Sequence, residues 1–152
     1  MRSPTLFCLL LLVVSSVTAS ELRKGRSIFG MAACVTRNAA VLIPYDGRCA
    51  AGKLQAAYSA MSDANCVNCD KYFHCIGNYN AVHQCTNSAQ ACRAAEAISD
   101  CREEVDNRGQ DSALDQQANR AGRRGENCSA LYLETVECFY HPKNGTCKKP
   151  TP

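Results

Sequence analysis

Apolar residues return at three- and four-residue intervals along much of this chain, the signature of helices that each bury one face. From Lys53, the residues Leu54, Ala57, Tyr58 and Met61 share a face; Cys66, Cys69 and Phe73 continue it, and Ile76 closes it before Gly77-Asn78. This predicts one helix or two short ones over 53–76. The segment Ala81 to Asp106 is rich in Ala, Glu and Arg and reads as helical too. Cys85 and Cys92 fall about 20° apart on it, whereas Cys101 lies about 160° round from Cys85, beside a second stripe of Ala94, Ile98 and Val105. Either that helix is buried on two sides or it breaks near Asn87-Ser88. Cys128, Leu131, Tyr132, Thr135, Cys138 and Phe139 make a third stripe about 120° wide, ended by His141-Pro142.

Between these stripes, 102–127 holds only Val105, Ala113, Leu114, Ala118 and Ala121 as apolar positions and reads as exposed, with a short helix at 111–121. Its end, Arg120-Ala121-Gly122-Arg123-Arg124-Gly125, has the composition of a protease-accessible tip, and Arg124 is a candidate processing site. Upstream, Ile28 to Pro44 is apolar and small, and Pro44-Tyr45-Asp46-Gly47 reads as a turn. No strand alternation is convincing. The expected fold is all-α, a small disulfide-rich domain of about four helices over 27–147, with a polar tail at 148–152.

The N-terminus changes the compartment. Arg2, the apolar run Leu6 to Val14, and the small residues Val17-Thr18-Ala19 compose a signal peptide over residues 1–19, which makes the protein secreted and extracellular. No later stretch approaches the roughly 20 apolar residues that cross a bilayer, so a membrane partner is not expected. Residues 20–26 carry Arg23-Lys24-Gly25-Arg26, a basic tail or a short propeptide cleaved after Arg26. Without the leader, 16 basic residues face 14 acidic ones. That excess is too small to argue for nucleic acid.

Eleven cysteines then remain: Cys34, Cys49, Cys66, Cys69, Cys75, Cys85, Cys92, Cys101, Cys128, Cys138 and Cys147. In an oxidising compartment they form a disulfide framework whose pairing spacing alone does not determine. Their odd number leaves one for a free thiol or an intermolecular bridge, and five internal bridges plus a disulfide-linked homodimer is the favoured count. Cys66-x2-Cys69 followed by His74 and Cys75 resembles zinc-ligand spacing, but secreted thiols oxidise, so no metal and no cofactor is expected.

Other chemistry is sparse. Asn127-Cys128-Ser129 and Asn144-Gly145-Thr146 fit the N-glycosylation pattern. Asp70 and His74 stand four apart on one helical face, where a carboxylate can orient an imidazole. No nucleophile or oxyanion donor accompanies them, so a structural hydrogen bond outweighs catalysis. His83 and His141 have no partner visible in the sequence.

The run Cys69-Asp70-Lys71-Tyr72-Phe73-His74-Cys75, with Ala97-Ile98-Ser99-Asp100, Arg102-Glu103, and Asp115-x2-Ala118-Asn119-x2-Gly122-Arg123 downstream, resembles a cysteine-rich domain at the C-terminal ends of bacterial RHS-repeat proteins. The resemblance implies an effector-like context with no established reaction. That family's pattern continues with Asn-Cys where this chain has Asn78-Tyr79, and the lost cysteine would orphan a partner. The leader, helical cysteines and small size are also similar to helical secreted toxins as a class. The leading functional expectation is therefore recognition of an extracellular or cell-surface protein through a rigid surface, as a toxin, effector or signal. The alternative is a small, lipid-directed hydrolase using Asp70 and His74.

Overall fold

The computed structural model describes residues 29–106, 109–133 and 136–148. Helix α1 covers 29–37 and is followed by α2 (Ala39–Leu42), α3 (Tyr45–Ala64), α4 (Asp70–His83), α5 (Ala89–Asp106), α6 (Gln110–Arg123) and α7 (Cys128–Tyr132). A two-stranded hairpin closes the described chain, β1 (Tyr140–His141) against β2 (Thr146–Cys147), antiparallel with Tyr140 opposite Cys147. The all-α class is as expected, and the four helices α3 to α6 carry it. The signal peptide and Arg26 lie outside the described residues.

Helix boundaries follow asparagine rather than apolar spacing. The Leu54 stripe stops where Asn65, at φ 45°, caps α3 in the left-handed conformation; Asn68, at φ 57°, shapes the link to α4. Asn accepts that region more readily than most residues. The break expected at Gly77-Asn78 does not occur, and α4 continues to His83. The segment 81–106 does break near Asn87-Ser88, with Asn87 at φ 51° and Ser88 Oγ accepting from the Ala91 N–H at 3.0 Å, as an N-cap does. Ser88 also donates to Asp46 on α3 at 2.5 Å. Pro44 is no turn but the residue before the first turn of α3, where its missing N–H costs nothing.

Two further corrections concern the second half. Of the 128–139 stripe, Cys128–Tyr132 is helical and Cys138 and Phe139 lead into β1, while Thr135 lies outside the described residues. The interval read as exposed is α6, which buries Asp115, Ala118, Asn119, Ala121 and Gly122. Its basic end is not a loose tip: Gly125, at φ 82°, receives a Schellman closure in which Gly125 N–H donates to Gly122 C=O at 2.9 Å and Glu126 N–H to Ala121 C=O at 3.1 Å.

Helix α4 is central, packed on α3, α5 and α6. Small residues set the spacing. At Gly77 an added Cβ would sit 2.9 Å from the Ala57 Cβ of α3; at Gly122 it would collide with the Cys75 carbonyl of α4. One core cluster joins Cys69, Tyr72, Phe73, Cys75, Ala118, Ala121, Cys128 and Cys138; a second, of Ala50, Ala81, Val82, Ala94 and Ala95, lies between α3, α4 and α5. Tyr72, Phe73 and Tyr140 stack with ring centroids 4.7 to 5.6 Å apart and seat the hairpin.

Five bridges join these elements: Cys34–Cys101, Cys49–Cys85, Cys66–Cys147, Cys69–Cys138 and Cys75–Cys128. Each closes a loop of 36 to 81 residues. Cross-links over such spans remove much of the unfolded chain's freedom. Among the described residues Cys92, half-buried on α5, is the cysteine left over.

Gly122→Ala should force α6 off α4 and cost about 1–3 kcal/mol or more, the penalty of overpacking a tight contact. Gly52→Ala, on the exposed side of α3 with nothing within 4 Å, should instead stabilise by about 0.5–1 kcal/mol. Denaturant melts of both variants check the pair; a Gly122→Ala protein as stable as wild type would show that α6 does not depend on that contact.

Candidate functional site

Helices α4 and α6 meet along polar faces. Lys71, His74 and Asn78 follow one another at three- and four-residue steps on α4, and Asp111, Asp115, Asn119 and Arg123 at four-residue steps on α6. Side chains at those intervals stack on one face, and the two series pair in the same order along the chain.

At one end Lys71 Nζ donates to Asp70 Oδ2 at 2.7 Å and Asp111 Oδ1 at 2.6 Å, and forms an ion pair with Asp115 Oδ1 at 2.7 Å. Burial works against the ammonium charge, but the bonds to Asp111, Asp115 and Asp70 outweigh it and hold the Lys71 pKa well above the ordinary lysine value. Burial likewise opposes ionisation of Asp70, and Lys71 more than compensates, lowering its pKa.

At the other end Arg123 Nη1 donates to Asn78 Oδ1 at 3.0 Å, and Ser99 Oγ of α5 donates to the same oxygen at 3.1 Å. That fixes the Asn78 amide. Its Nδ2 donates to Asn119 Oδ1 at 2.8 Å and to the His74 carbonyl at 3.0 Å. Asn119 Oδ1, an acceptor only, lies 3.1 Å from His74 Nδ1, so Nδ1 carries the proton in the neutral ring. His74 Nε2 is then a bare lone pair facing Asp115 Oδ2 at 3.5 Å. Burial holds the His74 pKa below the ordinary value despite the pull of Asp115, and burial raises that of Glu103, whose Oε1 is 3.9 Å from His74 Nδ1.

Beside this network lies a cavity of about 730 Å³, walled by Met31 and Val35 of α1, Leu54, Tyr58 and Met61 of α3, and Ile98 and Val105 of α5. His74, Asn78, Ser99 and Asn119 give it a polar floor. The Leu54 stripe therefore divides between core and cavity, Leu54 and Met61 packing against the buried clusters while they also line the cavity wall with Tyr58. Arg102 also lines it, its guanidinium 4.5 Å above the Tyr58 ring, and its buried Nε has no hydrogen-bond partner among the described residues.

Asp70 and His74 share a face but no bond among the described residues: Asp70 is held by Lys71, and the carboxylates facing His74 are Asp115 and Glu103. Asn144 is exposed in the hairpin turn, and Asn127 caps α7 by accepting from the Ala130 N–H at 3.2 Å. Arg124 is exposed and 2.6 Å from Glu126. His83 lies against Tyr79, with ring centroids 4.7 Å apart. The residues missed in the sequence, Glu103, Asp115 and Asn119, left one signal: polar side chains at four-residue steps complementary to those of α4.

A family model described as serum amyloid A protein matches residues 45–143. Serum amyloid A-2 protein of Oryctolagus cuniculus is 42% identical over 80 residues, covering 50% of this chain and 63% of that protein. Serum amyloid A-1 protein of Mus musculus is 46% identical over 80 residues, with the same coverage. Serum amyloid A-1 protein of Homo sapiens is 43% identical over 74 residues, covering 46% of this chain and 58% of that one. The chain thus spans just under two thirds of the length of the first of these relatives. The match overturns the resemblance to RHS-repeat C-terminal domains, because its motifs, over 69–123, all lie inside the matched residues. They are the facing surfaces of α4, α5 and α6, and the effector and toxin readings fall with them.

Lys71→Met would leave Asp115 buried without its cation, at a cost of about 3 kcal/mol at neutral pH. Asp70 in the wild type, with its lowered pKa, contributes stability that is lost as pH falls. The gap between the two melting curves should therefore narrow from pH 7 to pH 4, and a constant gap would mean that Lys71 contributes packing alone.

Proposed function

The chain belongs to the serum amyloid A protein family, and on that premise we propose that it is a non-catalytic extracellular carrier, its cavity holding a long apolar molecule that ends in a carboxylate. It is a secreted protein, and the relatives are named for serum, an aqueous fluid in which apolar molecules need cover. The observation that carries the reading is the cavity itself. At about 730 Å³ it has the size of a small-molecule site, with apolar walls and few polar groups. Two helices place part of their apolar stripes, Leu54, Tyr58, Met61, Ile98 and Val105, on its wall, and the orphaned Arg102 Nε supplies a donor and a cation for the head group.

Recognition of another protein, expected from the sequence, has narrower support: the neighbouring exposed side chains Ile43 and Tyr45, 65% and 69% accessible. A covalent homodimer would have to form through Cys92, the free cysteine among the described residues. Asn144 is the better placed of the two glycosylation candidates, being in an open turn while Asn127 is engaged as a cap. Hydrolysis through Asp70 and His74 has no support from their geometry.

Titrating the mature protein with a fluorescent long-chain fatty acid should give saturable binding of one molecule per chain. Ile98→Trp, which fills the cavity, should abolish it. Arg102→Gln should weaken the acid about tenfold, the loss of a charge-assisted bond, and leave the matching alcohol nearly unaffected. Absence of saturable binding, or binding indifferent to Ile98→Trp, would sink the carrier reading.

A further inference from the structure

We propose that His74, Glu103 and Asp115 form a binding site for a divalent cation of the zinc type, built from one side chain each of α4, α5 and α6. One donor atom from each, an imidazole nitrogen and two carboxylate oxygens, lies within 4.8 Å of the other two. All three side chains are more than nine-tenths buried, at 8%, 7% and 7% accessible. They stand on three long helices that pack directly on one another, α4 against α6 at the Gly122 contact and α5 against both, so the donors are fixed before any ion arrives.

Two observations point to a missing cation. Glu103 Oε1 is buried with no hydrogen-bond partner among the described residues, although Ser112 reaches the same carboxylate. Leaving such an oxygen unsatisfied is costly. The hydrogen-bond chain from Arg123 through Asn78 and Asn119 puts the His74 proton on Nδ1, so the Nε2 lone pair and Asp115 Oδ2 face each other as two acceptors 3.5 Å apart. That spacing is long for a hydrogen bond and close to the roughly 3.4 Å between tetrahedral donors bonded to one zinc at about 2.0–2.2 Å.

The surroundings suit the ion. Asn119 accepts from Nδ1–H in the way outer partners orient a ligating histidine. With Asp70 and Asp111 nearby, four carboxylates stand against two cations, Arg102 and the Lys71 already paired with Asp115. His74 also lines the cavity, which gives the ion a path inward. A nitrogen with two carboxylates favours zinc, or ferrous iron and manganese, over calcium, which takes six to eight oxygens. The disulfide-bonded Cys66, Cys69 and Cys75 take no part.

The test is calorimetric titration of the full, disulfide-bonded chain with Zn²⁺, in a Cys92→Ser, His141→Gln background that removes the free thiol and an exposed imidazole. One Zn²⁺ per chain is expected, with a zinc-dependent rise in melting temperature. Glu103→Gln keeps the shape and removes the unpaired charge, so it should fold at least as well without metal, bind zinc at least tenfold more weakly and lose most of that rise. Co²⁺ should give a visible ligand-field spectrum without thiolate charge-transfer bands. No saturable binding, binding unchanged by Glu103→Gln, or calcium binding more tightly than zinc would each overturn the site.

Discussion

The contact that the rest of the structure depends on is the one between Gly122 and the carbonyl of Cys75. Without a side chain at 122, the α6 backbone comes close enough to α4 for short polar side chains to reach across. Asn119 can touch both His74 and Asn78 only at that separation, and Lys71 can hold Asp111 and Asp115 together. The Cys75–Cys128 bridge leaves α4 at the same residue and ties α7 there. A methyl group on α6 would thus disturb a disulfide-anchored core and a polar zipper at once.

That zipper makes the interior of this protein unusual in its physics. The most buried large side chains include Asn78 and Asn119, not leucine or phenylalanine. Buried polar groups are tolerable only when their partners are complete, since a half-satisfied network is worse than an apolar core. The chain from Arg123 to His74 Nδ1 is directional, because one guanidinium, which can only donate, orients both amides and then the imidazole; it stops short at Nε2 and Glu103 Oε1. Helices α3 and α5 give Ala50, Ala94 and Ala95 to the core and the larger Tyr58, Ile98 and Val105 to the cavity wall.

This inversion decides what could be read from the residues alone. Helical class and the location of α3, α4 and α5 followed from apolar spacing, which tracks faces that avoid water whether they meet a core or a cavity. The short helix expected at 111–121 is α6, but its burial was misjudged for the complementary reason: Asp111, Asp115, Asn119 and Arg123 look like a solvated face until Lys71, His74 and Asn78 are placed opposite them. Gly77-Asn78 reads as a breaker by composition, yet Gly77 is there for close approach to Ala57 and Asn78 for the network. The true breaks use Asn65, Asn68 and Asn87, whose left-handed backbone no periodicity announces. Disulfide pairing depended on which elements meet in space, α1 with α5, α3 with the end of α4, and the start of α4 with the chain beyond α6, which sequence spacing does not contain.

The same arrangement links the two proposed sites without making them one. The cavity and the His74 cluster share the histidine, but the cavity draws its affinity from apolar walls on α1, α3 and α5, while the cluster draws on carboxylates of α5 and α6. A cation on Nε2 would lock the ring that forms part of the cavity floor, and through Nδ1 it would strengthen the bond to Asn119. Asn119 in turn holds Asn78, which also faces the cavity. Rigidity gained at the cluster therefore passes to the floor through two hydrogen bonds. A preorganised floor loses less freedom when a ligand settles on it, so the two occupants would favour each other even though neither touches the other's principal contacts.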